Sequence, residues 1–489
     1  MTDHTATRAD PTRSSGAAAP AASRGWWTLV VLCLAQFMVI LDITVVNVAL
    51  PSIGSDLRLS PASLTWTVTA YTLSFGGLLL LGGRLADTYG PRRTLLIGIV
   101  VFTASSVPAG LAQDGATLLA GRTAQGAGAA LLSPAALALV TTIFEGPQRH
   151  RALGVWAGVA ATGGAVGVLI GGALTELASW RWTFLVNLPM GLAVGALVPV
   201  LVAARRRPAS DRRIDLPGAV LATLAAGLVI YGLVAAGTEG WLSAGANLAL
   251  VGGLVTAAAF LVVERRTKDP LVPLGLLRRR SSIGGLLAML VASGFMLSTF
   301  FLTSLVLQRA SGLSALGTGL VFLPVGLVTI AATHVAVRAL RRIGPAATAT
   351  AGFTLAAAGG LLLASTADDG TWSGLLPGLL VLATGAGACF VTATTATMAG
   401  VEHERAGVMS ALLTTGHEVG ASLGVAAVSA IAATSIALTA GSGAGAQATA
   451  GFSHAYLALA VAAAAMALAT PWLLPRATLP AHDGPAFIH

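Results

Sequence analysis

Apolar residues are gathered in long runs along this chain, and polar residues fill the short stretches between them. A helix that crosses the hydrocarbon core of a bilayer needs about 20 apolar residues. By that measure there are fourteen runs, at residues 26–50, 64–84, 94–112, 116–142, 152–173, 182–203, 216–237, 246–263, 283–307, 316–337, 346–365, 374–398, 408–434 and 453–474. The pattern predicts an all-α polytopic membrane protein with fourteen spans.

The loops between runs alternate in charge. One side carries Arg8, Arg13, Arg24, "RLADTYGPRR", "EGPQRHR", "RRRPASDRR", "ERRTKDPLVPLGLLRRR", "RALRR", "HER" and Arg476. The other carries "PSIGSDLRLS", "AQDGA", "TELASWR", "GTEGW", "QRASG" and "TADDG". Cytoplasmic loops concentrate Lys and Arg, so the first side is read as cytoplasmic and both termini are expected there. Trp26, Trp27, Trp66, Trp180, Trp182, Trp241, Trp372 and Trp472 fall at or near run ends, as an interfacial belt requires, and Trp156 lies further in.

Composition removes the soluble alternative. Of 489 residues, 55% are hydrophobic and 10% charged, against about 25% charged in soluble domains. The net charge of +9 sits in short loops between spans, where topology accounts for it better than nucleic-acid binding does. Cys33 and Cys389 fall in separate runs and suggest neither a disulfide nor a metal site. The absence of a GxxxxGK[ST] loop argues against ATP-driven transport, and His403-Glu404 and His417-Glu418 lack the second His of H-E-x-x-H. No cofactor is expected, and neither is an enzymatic activity. The polar first 24 residues read as a disordered cytoplasmic tail, and the Gly-rich "GSGAGA" at Gly441 as a flexible outer-loop linker.

The two ends of the chain repeat each other. "YGPRRTLLIG" (Tyr89 to Gly98) matches "IGPAATATAG" (Ile343 to Gly352), and "TGGAVGVLIG" (Thr162 to Gly171) matches "TGHEVGASLG" (Thr415 to Gly424). Between them "GAGA" at Gly126 recurs at Gly385. Runs 3, 4 and 5 thus correspond to runs 11, 12 and 13, giving two parallel six-helix halves, the architecture of major facilitator transporters. The division expected is a tail at 1–24, a bundle at 25–204, a two-helix insertion with basic flanks at 205–280, a second bundle at 281–475 and a cytoplasmic tail at 476–489.

Asp42 interrupts the apolar run "MVILDITVVNVALPSI". An Asp at the centre of a membrane helix costs roughly 2.5–3.5 kcal/mol on insertion scales, so it needs a reason. It lies about 12 Å below the outer end of its run at 1.5 Å per residue. Arg122 lies equally deep in run 4, so an ion pair between the two is possible. The pair reads as a proton relay or as a static structural tie. Glu418, near the midplane of run 13, reads as a cavity-lining proton or cation site or as a packed, protonated glutamate. His417 adjoins it, about 100° away around the helix.

"LDITVVNVALPSI", "GGRLADTYGPRR", "GRTAQGAGAALLSPAALALV" and "SWRWTFLVNLPMG" together resemble the fourteen-span drug:proton antiporter family of the major facilitator superfamily. The family's loop motif is met by Gly83, Leu85, Ala86, Asp87, Gly90 and Arg92, with Thr88 and Pro91 in place of its two arginines. Its span 5 motif is met by Gly163, Gly167, Gly171 and Gly172, with Val168 in place of its proline. The loop reads as a charge latch between bundles in the outward-facing state or as a solvated basic loop. The glycines, with Gly154 and Gly158 before them, read as a packing strip or as a bending point.

The resemblance implies an exporter driven by the proton gradient, whose partners are protons, a small lipophilic or cationic substrate and the lipid bilayer. An antibiotic or toxic metabolite is the expected cargo, and an Ala/Gly/Arg-rich, Lys-poor composition suggests a bacterial cell membrane. A metabolite facilitator or symporter of the same fold is the alternative that Val168 leaves open.

Overall fold

The computed structural model describes residues 18–203, 215–272, 274–401, 406–438 and 444–475, and every regular element among them is helical. The helices are α1 Ala18–Asp56, α2 Pro61–Tyr89, α3 Pro91–Gly110, α4 Gly115–Ile143, α5 Gly146–Leu177, α6 Trp182–Leu201, α7 Leu216–Glu239 and α8 Ala244–Arg266. They continue with α9 Arg280–Leu305, α10 and α11 at 315–343 and 345–366, α12 Trp372–Met398, α13 Ala406–Leu438 and α14 Ala444–Leu473. Twelve helical stretches are long and apolar enough to cross a membrane. One of them, Ala315–Thr366, holds both α10 and α11, and α5 adds a shorter apolar segment at Val166–Leu177. The helices therefore correspond one for one to the fourteen apolar runs.

Local chemistry sets the boundaries. Gly90 (φ 92) separates α2 from α3 and Gly344 (φ 77) separates α10 from α11, each followed by a proline at the first position of the next helix. Glycine reaches positive φ without a Cβ clash, and proline loses no helical hydrogen bond at that first position. Ser60, Asp114, Ser243, Ser314 and Thr371 cap the helices that follow them by accepting a backbone N–H three residues on. At Asp114, which is fully exposed, that N–H and the Thr117 hydroxyl hold the carboxyl below its usual range.

The repeat is realised in packing. On α5, a Cβ at Gly171 would lie 2.8 Å from Val45 Cα of α1; on α13, one at Gly424 would lie 2.7 Å from Gly294 Cα of α9. The α3–α4 crossing brings Gly98 against the Gly128 carbonyl (2.9 Å), and the α11–α12 crossing brings Gly352 against the Gly385 carbonyl (3.0 Å). The structural counterpart of Gly385 is thus Gly128, so the expected "GAGA" register is off by two residues. In so Gly/Ala-rich a sequence the string cannot fix its own alignment.

On the side away from the basic loops the two halves share one continuous buried cluster, reaching from Val46 and Leu50 of α1 through Phe295 of α9 to Phe353 of α11. The basic-side half of the first bundle forms its own cluster around Met38, Phe75, Phe102 and Trp156. The bundles therefore meet on the far side and part towards the basic side. Far-side contacts include Ser304 Oγ donating to Asn47 O (2.8 Å) and Gln308 Nε2 to Val48 O (2.8 Å). On α5 and α10, Leu316 N donates to Glu176 Oε2 (2.9 Å). Along α2 and α13, Thr65 meets Ser429 (2.9 Å) and Thr72 meets Ser422 (2.5 Å).

The insertion does not stand apart. α7 lies over the α2–α13 seam: Gly77 of α2 faces Thr223, Gly237 faces Ala430 of α13, and Ile230 and Val234 pack with Trp66, Leu73, Leu423 and Ala426. α8 packs on α7 through Gly232, Leu250, Gly253 and Val229.

Some expectations change. α1 begins at Ala18, so residues 18–24 of the expected tail are helical. α14 begins at Ala444, inside "GSGAGA", and residues 1–17, 204–214, 273, 402–405, 439–443 and 476–489 lie outside the described residues. Trp180 is buried rather than interfacial, donating Nε1 to Asp56 Oδ2 (2.9 Å) beneath the Arg181 guanidinium.

A Cβ on Gly128 would lie 2.6 Å from Phe102 N, whereas one on Gly154 meets nothing within 4 Å. Gly128→Val is expected to cost about 1–3 kcal/mol by overpacking, read as a lower thermal unfolding midpoint in detergent, and Gly154→Ala to leave the midpoint unchanged. Equal midpoints for both variants would contradict the packing described.

Candidate functional site

Asp42 and Arg122 meet in the first bundle, where α1 approaches α4. Arg122 Nη1 donates to Asp42 Oδ2, and the two side chains are 1% and 0% exposed. Taking such a pair out of water costs several kcal/mol per ion, offset only when the remaining lone pairs and protons find partners. Here they do. Asp42 Oδ1 accepts from Gln125 Nε2 (3.0 Å) and Asn187 Nδ2 (2.8 Å), while Arg122 Nε donates to Thr67 O (3.0 Å) and Nη1 reaches Gln125 Oε1 (3.1 Å). Gln125 Nε2 also reaches Ser106 Oγ (2.8 Å). The Tyr71 ring lies 4.3 Å from the guanidinium carbon and the Phe184 ring 5.7 Å, giving the cation two aromatic faces.

The site draws on α1, α2, α3, α4 and α6, and all of it lies in one bundle. Two polar atoms in it have no hydrogen-bond partner, the Tyr71 hydroxyl and Asn187 Oδ1. Sequence reasoning found Asp42 and Arg122 but missed Gln125, Asn187, Ser106 and Tyr71. Gln125 was within reach, since a residue three after Arg122 shares its helix face. Asn187 stands in the quoted stretch "SWRWTFLVNLPMG", as a lone amide in an apolar run. Nothing along the chain marks Ser106 or Tyr71.

Glu418 lies elsewhere, on α13 at the seam with α2. A Cβ on Gly76 would sit 2.6 Å from its Cβ. Its side chain is 5% exposed and that of His417 is 42%, so of these neighbours the histidine is open and the glutamate packed, the reverse of a cavity-lining Glu418. They are joined by a 3.1 Å contact between His417 Nδ1 and Glu418 Oε1, and the His417 ring stands 5.8 Å from that of Phe390.

Gly83, Asp87 and Gly90 occupy the basic end of α2 and the turn after it, and Asp87 is exposed. Arg92 Nη2 donates to Pro199 O of α6 (3.1 Å), so in this state Arg92 ties helices of its own bundle. The span 5 glycines split their work. Gly163, Gly167 and Gly171 face α1 at Ile40, Thr44 and Val45, and Gly172 faces Leu316 of α10.

Because the pair is buried, removing one partner strands the other. Asp42→Asn and Arg122→Gln are each expected to lose about 3–5 kcal/mol of stability and the double variant less than the sum, measured by reversible unfolding in mixed micelles; strictly additive losses would dismiss the coupling. Asn187→Ala is expected to cost about 1–3 kcal/mol through the lost donor.

Comparison with known proteins comes down on the same architecture. The chain is 41% identical over 406 residues to the cephamycin export protein CmcT of Amycolatopsis lactamdurans, covering 81% of this chain and 83% of that protein. It is 39% identical over 414 residues to the puromycin resistance protein pur8 of Streptomyces alboniger (83% and 82% covered). It is also 39% identical over 429 residues to the lincomycin resistance protein of Streptomyces lincolnensis (86% of each). Among solved structures, an inward-facing bacterial homologue of the human lysosomal transporter Spinster superposes with a TM-score of 0.68 at 17% identity, covering 94% of this chain and 99% of that one. A POT family peptide transporter gives 0.68 at 16% identity, covering 95% and 100%. Residues 32–425 match the sequence profile of the Major Facilitator Superfamily, and the chain belongs to that family.

Proposed function

We propose that this protein exports lipophilic or cationic antibiotics, drugs or toxic metabolites across a bacterial cell membrane, in exchange for protons entering the cell. The observation that carries the proton-coupling part is the buried Asp42–Arg122 pair with amides on Asp42 Oδ1. The cargo class rests on the relatives named for cephamycin export and for puromycin and lincomycin resistance.

The amides make the site workable in two charge states. With Asp42 ionised, Gln125 and Asn187 donate to it and Arg122 balances its charge. With Asp42 protonated, its O–H needs an acceptor, and the unpartnered Asn187 Oδ1 supplies one after the amide rotates. Arg122 keeps Thr67 O, Gln125 Oε1 and the Tyr71 face in either state. Protonation of Asp42 thus leaves Arg122 without its counter-ion, held by neutral acceptors and the aromatic face, and that unbalanced charge is what would drive the site to change when a proton binds.

With the basic side in the cytoplasm, the bundles part towards the cell interior, where substrate would be collected. Rocking of one bundle against the other then opens the far side. Asp87 and Arg92 would meet the opposite bundle once the cytoplasmic side closes. Glu418, at the α2–α13 seam, would take or release a proton as that seam opens.

The decisive measurement is proton movement on adding substrate to proteoliposomes. Wild type is expected to move protons opposite to substrate, and Asp42→Asn to bind substrate but transport neither. Parallel movement would indicate symport, and full proton-driven export by Asp42→Asn would sink the coupling role. In a pump-deficient host, wild type is expected to raise resistance to at least one compound in a panel including cephamycin, puromycin and lincomycin. Asp87→Asn is expected to abolish that resistance at unchanged membrane abundance.

A further inference from the structure

At the basic end of the insertion, two carboxylates are buried together. Asp215 precedes α7 and is 5% exposed; Glu264, near the end of α8, is 3% exposed. Each spends one oxygen on a backbone N–H: Asp215 Oδ1 accepts from Gly218 (2.9 Å), and Glu264 Oε2 from Val272 (3.2 Å). The other oxygens, Asp215 Oδ2 and Glu264 Oε1, have no hydrogen-bond partner. Both border the same point, because a Cβ on Gly218 would lie 2.6 Å from the first and 3.0 Å from the second. Only a residue without a Cβ leaves room for the two to converge.

Two ionised carboxylates sharing one dry site repel each other, and neither can shed its charge into solvent. Among the described residues the surrounding charges do not pair with either free oxygen. Among them, Arg84 of α2 acts on Glu264, and its Nη2 is spent on Pro270 O (2.6 Å). Arg265 and Arg266 of α8 and Lys268 of the linker are exposed, Asp269 partly so, and Arg279 donates to Gly400 O. From α13 the neighbouring side chain is Leu412, which carries no charge.

The place matters as much as the chemistry. Beside the pair, Leu271 and Val272 of the linker pack with Leu80 and Leu81 of α2, Ala219 of α7 and Leu412 of α13. Here, on the side where the bundles otherwise part, both of them are joined through the insertion. We propose that Asp215 and Glu264 together bind one proton, shared between their facing oxygens, and that this proton fastens the linker to the basic ends of α2 and α13. One carboxyl then donates O–H···O⁻ to the other, satisfying both orphaned oxygens and leaving the site with a single negative charge near Arg84. Loss of the proton to an alkaline cytoplasm leaves two like charges facing each other, and the Val272 clasp on Glu264 loosens. The site is separate from Asp42, and its role does not depend on the identity of the cargo.

Hydrogen–deuterium exchange of the 267–279 segment in the detergent-solubilised full chain reads the clasp directly, since the Val272 amide is one of its bonds. Exchange times are scaled to the intrinsic rate at each pH. In wild type, protection of that segment is expected to fall at least tenfold between pH 6 and pH 8.5, as one proton lost on opening requires. Glu264→Gln can accept from Val272 and donate to Asp215 without a titrating proton, so its protection is expected to stay high at both values. Asp215→Asn, which keeps a competent cap, is expected to behave likewise and serves if the first variant folds poorly. Protection in wild type that ignores pH, or a fall of the same size in both variants, would overturn the proposal. So would protection at pH 8.5 restored by adding sodium, which would assign the site to a metal cation instead.

Discussion

A buried charge pair tolerates very little freedom in its surroundings, and the first bundle is arranged around that constraint. Burying Asp42 and Arg122 costs several kcal/mol each unless their remaining hydrogen-bonding capacity is met. Meeting it calls on Gln125 from the same helix as Arg122, the Thr67 carbonyl from α2, Ser106 from α3 and Asn187 from α6. Those partners fix the rotation of their helices about their own axes, since turning any of them by one residue would carry its polar atom about 100° away. The glycines at 98, 126 and 128 then let the helices come close enough for the network to close.

The pair also has a mechanical outlet. Asn47 and Val48 stand five and six residues after Asp42 on the same helix, and their carbonyls accept from Ser304 and Gln308 of α9. A change of charge at Asp42 that shifts α1 is therefore felt by the second bundle within about two helical turns.

The number of helices, the positions of most ends, the repeat and both members of the central pair were legible along the chain. They are properties of one helix at a time: length, periodicity, a Gly-Pro break, the depth of a lone charge. What was not legible depends on how helices face one another. Ser106 is one serine among many in apolar runs, and only the approach of α3 to α4 makes it a partner of Gln125. Glu418 and His417 differ by one residue, and sequence cannot say which of the two the α2–α13 seam buries. Trp180 looked interfacial by position, but Asp56 and Arg181 draw it inward. Likewise, the basic flanks announced an insertion, but not that α7 would lie across both bundles.

That placement breaks the twofold symmetry of the molecule. The bundles meet along two seams, α2 with α13 and α5 with α10, and α7 covers only the first. One seam is thus left uncovered by the insertion, while the other is sheathed by the α7–α8 pair. If the bundles rock as proposed, they do so less like a book opening evenly about its spine than like a door hung on a reinforced edge.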